Sequence, residues 1–160
     1  MSTTVERKRS PPGDNACVEE AWELKEHIRR EFGVLKQQRR FFVSAYRQSS
    51  VLLLINQYND ELVGFAATRN GGYLLFLAVS PDYQGQGFGR ELVYQAVDEH
   101  GSLTCHARMT NDDALGFYRA LGFEIVRSIP GYYEDGGDAY FLKLGEDASM
   151  RAKISRLLGR

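Results

Sequence analysis

Two stretches of this 160-residue chain carry residue types that could do chemistry. In LAVSPDYQGQGFGREL, residues 77–92, an apolar run passes through Pro81 into Gly85, Gly87 and Gly89 and then into a helical pattern. A strand-to-helix turn needs one or two glycines; more of them let a ligand approach the main chain. The first N–H groups of a helix have no internal partner and sit at its positive end, so such a loop suits phosphate oxygens. A tight turn without a ligand is the plainer alternative. The stretch lacks the Gly-Lys-Ser/Thr ending of a P-loop, and its alternating glycines do not give the G-x-G-x-x-G of dinucleotide sites. The second stretch is LTCHARMT, residues 103–110. Here Leu103, Cys105, Ala107 and Met109 fall on one face of a strand, and Thr104, His106, Arg108 and Thr110 on the other. An imidazole titrating near ~6.5 accepts a proton at neutral pH, which makes His106 a candidate base. By residue type alone, a lone strand histidine is more often structural. Cys105, facing the other way, reads as core rather than nucleophile. His27 and His100, on polar helix surface and near a helix end, receive no role.

The elements that must position these residues are legible in outline. Residues 3–9 read as a short polar strand, broken by Pro11-Pro12-Gly13. From Asn15, the spacing of Val18, Trp22, Lys25, Ile28 and Phe32 predicts a helix capped by Asp14 or Asn15 and ended by Gly33. A second helix over 35–47 places Phe41, Phe42, Ala45 and Tyr46 on one side, so the two helices meet at Phe32-Gly33-Val34. Strands over 51–55, 62–68 and 73–79 follow, with Asn70-Gly71-Gly72 as a hairpin signal. A helix over 87–100 turns Phe88, Leu92, Val93, Ala96 and Val97 inward. After the 103–109 strand, Asn111 caps a helix closed by Gly122. Strands near 124–129 and 139–144 flank the loop PGYYEDGGD, and residues 148–160 form a short basic amphipathic tail or helix. The expectation is a mixed α/β chain with a single domain over 1–147 and the tail beyond it.

Bulk properties bound the function. A formal net charge of −1 and a pI near 6.3 give no global electrostatic case for nucleic acid. Two cysteines make no disulfide framework and suit a reducing compartment. The N-terminus lacks the apolar core of a secretory signal, and no run reaches the ~18 apolar residues of a membrane span. The chain is therefore expected to be cytoplasmic, without membrane or nucleic-acid partners and without a metal.

The glycine stretch is also Gln84-x-x-Gly87-x-Gly89, following a strand that ends Ala78-Val79 and a short proline turn. In this it resembles the acetyl-coenzyme A signature of the GNAT N-acetyltransferases. The downstream NDDALGFYRALGF, with Asn111, Tyr118, Gly122 and Phe123, is similar to that family's second conserved block, in the same order. The resemblance covers roughly residues 50–144. It implies a GNAT-like mixed, mostly antiparallel sheet, splayed between strands 4 and 5 and flanked by helices on both faces. It implies acetyl-coenzyme A as cofactor, its pantetheine arm pairing with the main chain of Leu77, Ala78 and Val79. The diphosphate would rest along Gln84, Gly85, Gln86, Gly87, Phe88, Gly89 and Arg90, with Asn111 and Tyr118 as further cofactor contacts. The Val79 amide would be an oxyanion donor.

Acyl transfer from a thioester to an amine needs a deprotonated amine, a stabilised oxyanion and, for the thiolate, a proton. Tyr118 matches the family's tyrosine acid. In RimI- and NatE-type enzymes the residue five before the motif asparagine is a glutamate or histidine base, and here that residue is His106; Tyr73 is similar to the tyrosine paired with such a histidine. The run Gly131-Tyr132-Tyr133-Glu134-Asp135-Gly136-Gly137-Asp138-Ala139-Tyr140 resembles the Y-Y-x-D-G-x-D-A-Y stretch of RimI/Ard1-type protein N-α-acetyltransferases. There the tyrosine pair, here Tyr132 and Tyr133, clamps the first residues of a peptide, with the helix corner Phe32, Gly33 and Val34 opposite. An α-amine near ~8 also deprotonates more easily than a lysine amine near ~10.4. The expected activity is acetyl transfer to a protein or peptide N-terminus by a monomer or homodimer. The alternatives are acetylation of a lysine side chain or a small amine, and a non-catalytic acyl-coenzyme A-binding module. One departure stands out: those enzymes commonly carry arginines between Gln84 and Gly87, where this chain has Gly85-Gln86.

Overall fold

Alternation in the strands and three-to-four spacing in the helices give, in chain order, β1 (Val5–Ser10), α1 (Val18–Phe32), α2 (Arg39–Gln48), β2 (Ser50–Asn56), β3 (Leu62–Arg69) and β4 (Tyr73–Val79). A 3₁₀ turn (Pro81–Tyr83) leads to α3 (Phe88–His100), β5 (Ser102–Arg108), α4 (Asp112–Leu121), β6 (Glu124–Ile129), β7 (Ala139–Gly145) and α5 (Ala148–Leu158). The structure, a computed structural model, describes residues 3–145 and 147–159; Met1, Ser2, Glu146 and Arg160, which the expected domain and tail include, lie outside the described residues. The hydrogen-bonded strand order is β1-β2-β3-β4-β5-β7-β6. The pairs β1/β2, β2/β3, β5/β7 and β6/β7 are antiparallel, and only β4/β5 is parallel, registering at Tyr73↔Thr104. This is the mixed, mostly antiparallel α/β fold that the sequence implied.

Two compact units make up the chain: Met1–Asn70 with Leu74–Val93, and Gly71–Tyr73 with Tyr94–Arg160. In the first, Phe42 is fully buried at the centre of an aromatic cluster, with ring centroids of Trp22, Tyr46, Phe65 and Phe76 at 5.6, 5.9, 6.1 and 4.8 Å. Helix α1 buries Ala21, Leu24 and Ile28, and also Lys25. The Lys25 ammonium lies 4.7 Å from the Trp22 ring centroid and donates to the Gln37 carbonyl, and burial lowers its pKa.

Three local expectations are corrected. Cys17, in the left-handed region, occupies the α1 cap position instead of Asp14 or Asn15. The Asp14 carboxylate is taken by the Asn15 N–H at 2.7 Å, and the Asn15 side-chain oxygen by Arg47 Nε at 3.0 Å. Helix α2 begins at Arg39 rather than residue 35, because Leu35 has φ 56° and cannot continue a right-handed turn. The two helices are therefore joined through Gly33–Gln38 rather than at a three-residue corner. Finally, Phe42, Ala45 and Tyr46 form the buried stripe of α2, while Phe41 stands beside it, 51% exposed.

The second unit buries Leu103, Cys105 and Ala107 of β5, Ala139, Leu142 and Leu144 of β7, and Leu115 and Leu121 of α4. Helix α4 opens on Asn111, whose Oδ1 accepts the Ala114 N–H at 3.1 Å, and closes at Gly122 with φ 108°. The tail forms α5, capped by Asp147, and buries Met150 and Ile154. Gly72 matters most for the site. Its carbonyl accepts the Thr104 N–H at 2.9 Å, its φ is +82°, and a Cβ there would lie 2.3 Å from the Ser102 carbonyl oxygen.

Phe42→Ala is expected to lower stability by about 3–5 kcal/mol in chemical denaturation, the range for emptying a buried aromatic site. Gly72→Ala combines a left-handed backbone with a clash against main chain, and should cost ~2 kcal/mol or more in the same measurement.

Candidate active site

In the first unit, the segment before α3 is pinned at its start and open at its end. The Ser80 N–H donates to the Val63 carbonyl at 2.8 Å, and the Ser80 hydroxyl accepts from the Asp82 N–H at 3.3 Å. The Tyr83 hydroxyl donates to Glu61 at 2.6 Å and accepts from Asn56 Nδ2 at 3.0 Å. Gln84 to Gly87 then run exposed to Phe88, which is buried and anchors the first turn of α3. Gly85 and Gly87 have φ of +80° and +83°, and a Cβ at Gly85 would meet open space; Gly89 is already helical. The loop is thus an exposed main-chain cradle at a helix N-terminus, which fits a diphosphate. Arg90 is the basic group beside it, its Nη2 3.4 Å from where a Gly87 Cβ would stand. Two contacts from β1 and the residues before it brace the loop: Thr3 N–H donates to Gln86 Oε1 at 2.9 Å, and Arg7 forks onto the Glu91 carboxylate at 2.7 and 2.6 Å. Upstream, Ala78 of β4 is buried and Leu77 and Val79 are half-buried. At the end of α1, Phe32 is 53% exposed and Gly33 forms its left-handed cap; Val34 is half-buried.

The second unit holds the titratable cluster. The polar face of β5 presents His106 to three rings. The Tyr73 hydroxyl is 2.7 Å from His106 Nδ1, the Tyr132 ring stacks at 4.2 Å and 11° with its hydroxyl 3.4 Å from the same nitrogen, and Phe141 tilts at 5.0 Å. With the proton on Nε2, Nδ1 is the acceptor on which both phenols converge. Burial lowers the His106 pKa, and the nearby Arg127 charge lowers it further. Burial raises the Tyr73 hydroxyl, reinforced by Tyr132. Cys105, on the core face, is pushed up to about 12 by burial, against a hydrogen bond to Tyr118. Tyr118 is raised by burial and by that thiol, and its ring packs edge-on against Phe117 and Phe123 at 5.4 and 5.0 Å. Tyr133 meets Tyr132 edge-to-face at 5.0 Å and lies under the Arg108 guanidinium at 4.0 Å.

Of the residues singled out from sequence, His106, Tyr73 and Tyr132 are in mutual contact, Tyr133 adjoins Tyr132, and Tyr118 is coupled electrostatically to Tyr73 and Tyr133. The Asn111 side chain is engaged as the α4 cap. Phe141, Arg127, Arg108 and Asp135 were missed. Phe141 sits opposite His106 in the β5/β7 register, and Arg108 shares its face two residues on; either could be found once the pairing is known.

Residues 18–123 match the acetyltransferase (GNAT) family. The chain belongs to the GNAT family. The family is one of acetyltransferases, as the two motifs implied. Among curated relatives, the GNAT chain is similar to the N-alpha-acetyltransferase MAK3 of Arabidopsis thaliana, 32% identical over 117 residues, covering 66% of this chain and 60% of that protein. It is also similar to the peptidyl-lysine N-acetyltransferase YjaB of Salmonella typhimurium, 37% identical over 67 residues, covering 42% and 46%. Its fold matches the crystal structure of the ribosomal-protein-S18-alanine N-acetyltransferase from Escherichia coli, with TM-score 0.68, 26% identity and coverage of 88% and 94%. The chain spans only 30% to 60% of the length of the first curated relatives it matches. Among the described residues, no group of three or more His, Cys, Asp or Glu could hold a metal ion, and no helix is long and apolar enough to cross a membrane.

A depressed imidazole pKa means that the neutral, proton-accepting form persists to lower pH than usual. NMR titration of His106 should give a midpoint below the ordinary ~6.5. Arg127→Gln removes a like charge and should move that midpoint upward.

Proposed function

We propose that this chain is an acetyl-coenzyme A-dependent N-acetyltransferase whose acceptor is the α-amine of a protein or peptide N-terminus. One observation carries the reading: the ring of Tyr132 lies flat on His106 at 4.2 Å. The loop whose pattern resembles an N-terminal peptide clamp thus adjoins the one neutral imidazole suited to take the amine's proton.

The cofactor, when bound, supplies the thioester that the amine attacks. Gly85 to Arg90 offer main-chain amides to its diphosphate; Leu77, Ala78 and Val79 offer a strand edge to its pantetheine, and the Val79 amide an oxyanion contact. Asn111, at the start of α4, and Tyr118 would be further contacts to the cofactor. His106 is the base. Tyr73 passes its hydroxyl proton to Nδ1 at 2.7 Å as it receives the amine's. Tyr118, kept protonated by burial, is the acid for the departing sulfur. Tyr132 and Tyr133 hold the peptide's first residues on flat apolar faces, with Phe32, Gly33 and Val34 as the second contact. A single histidine of lowered pKa is better matched to an α-amine near ~8 than to a lysine amine near ~10.4.

The similarity to a peptidyl-lysine acetyltransferase favours a second reading, the same chemistry on an ε-amine. A peptide-library acetylation assay with mass-spectrometric localisation separates them: acetyl on the α-nitrogen supports the proposal, and acetyl confined to ε-nitrogens or small amines replaces it with the second. His106→Gln should lower kcat by about 10²–10⁴-fold while calorimetry still detects acetyl-coenzyme A. Cofactor binding with no thiol release from any amine would leave a binding module instead.

A further inference from the structure

We infer that Arg108 is a positioning residue that latches the β6–β7 loop, so that Tyr132 is held over His106 before a peptide arrives. The inference rests on the reading above that this loop receives the acceptor.

Arg108 follows His106 by two residues on the same face of β5 and touches none of the groups assigned to proton transfer. Its guanidinium instead makes two contacts into the loop. It lies 4.0 Å over the Tyr133 ring, and its Nη1 reaches both oxygens of Asp135 at 3.1 and 3.0 Å. Asp135 is itself fixed, since its Oδ1 accepts the Gly137 N–H at 2.9 Å. Gly137 leaves room for the cation: a Cβ there would lie 2.6 Å from Arg108 Nη1.

Backbone bonds close the loop on itself. Tyr133 N–H donates to the Gly137 carbonyl at 3.1 Å, Gly136 N–H to the Tyr133 carbonyl at 2.9 Å, and Gly131 N–H to Asp138 Oδ1 at 2.8 Å. Met109 N–H ties the loop to the end of β5 through the Asp138 carbonyl at 3.1 Å. These bonds set the path of the main chain and do not involve the ring of Tyr133. What orients that ring is the guanidinium on its face and Tyr132 against its edge. Tyr132 in turn stacks on His106. The chain of contacts from cation to base is Arg108, Tyr133, Tyr132, His106. Each link is partly exposed and weak alone, and a planar cation can lay its face on Tyr133 while one nitrogen, Nη1, reaches the Asp135 carboxylate.

A latch of this kind works by pre-organisation, so its loss should weaken peptide capture more than chemistry. In the full chain, Arg108→Ala should raise the peptide KM about tenfold, leave the acetyl-coenzyme A KM in place, and change kcat much less than the peptide KM. Arg108→Lys should recover only part of the loss, because an ammonium that reaches Asp135 has no planar face to lay on Tyr133, and Asp135→Asn should fall between. In the peptide-free protein, the His106 ring protons should lose the ring-current shift that the stacked Tyr132 imposes. A peptide KM that stays put in Arg108→Ala, or equal losses in kcat and both KM values, overturns the inference. If Arg108→Ala fails to fold, Arg108→Lys and Asp135→Asn decide by the same criteria. Should the wild-type chain acetylate no peptide, the acceptor reading fails by itself. The latch is then judged by NMR alone, where an unchanged His106 shift in the variants refutes it and a lost shift sustains it.

Discussion

The pleat of β5 is the constraint on which the chemistry depends. Side chains on a strand alternate, so a slip of one residue would send every one of them to the opposite face. Leu103, Cys105 and Ala107 must be buried, and their burial delivers Thr104, His106 and Arg108 together to the other side. Antiparallel pairing with β7 from Ser102↔Gly145 to Arg108↔Ala139 locks that register and sets Phe141 beside the imidazole. At the other edge, the parallel bridge of Tyr73 to Thr104 brings the Tyr73 hydroxyl to Nδ1. The apolar core on one face of β5 therefore sets where His106 stands on the other.

The contacts of His106 are mainly aromatic, and this has an electrostatic consequence. Rings at 4.2 and 5.0 Å help to exclude water, and burial disfavours the imidazolium; Arg127 disfavours it further. On the opposite face of the same strand, burial raises both Cys105 and Tyr118, so the phenol stays protonated. One strand thus separates a group biased to accept a proton from a group biased to keep one. Divergent pKa values of this kind are what the proposed transfer between a thioester and an amine would use. The same reasoning explains why Cys105 is no nucleophile: a thiol pushed to about 12 supplies almost no thiolate near neutral pH.

Much of this was legible in the sequence because it rests on short-range rules. The period-two pattern over 103–109 named both faces of β5, and Asn111 and Gly122 marked both ends of α4. Asn70-Gly71-Gly72 located the hairpin into β4, although not why Gly72 is needed, which is a clash with Ser102 thirty residues away. The failures are equally physical. The capping role was assigned to Asp14 or Asn15 from residue type, but Arg47, distant in sequence, takes up the Asn15 oxygen. The sequence pattern places the start of the second helix too early because nothing in Leu35 itself announces φ 56°. Phe141, Arg127 and the Arg108–Asp135 pair were invisible for a single reason. Each acquires meaning only through strand register or loop closure, which composition does not encode.

The altered glycine loop is the clearest case of long-range structure answering a local deficit. Where the enzymes this stretch resembles carry arginines, this chain has Gly85-Gln86 and so less positive charge where a diphosphate would rest, and Glu91 adds a negative charge to the first turn of α3. Helix N-termini attract anions through exposed N–H groups and the dipole, and a carboxylate in that turn competes for the same potential. Here Arg7 engages both oxygens of Glu91 and offsets its charge, while Thr3 holds the side chain of Gln86. On the proposed reading, a diphosphate here would depend on main-chain amides, on Arg90 and on a cation lent by β1 from more than eighty residues away. A strand that reads as a polar edge in the sequence thus sets the charge at the helix start.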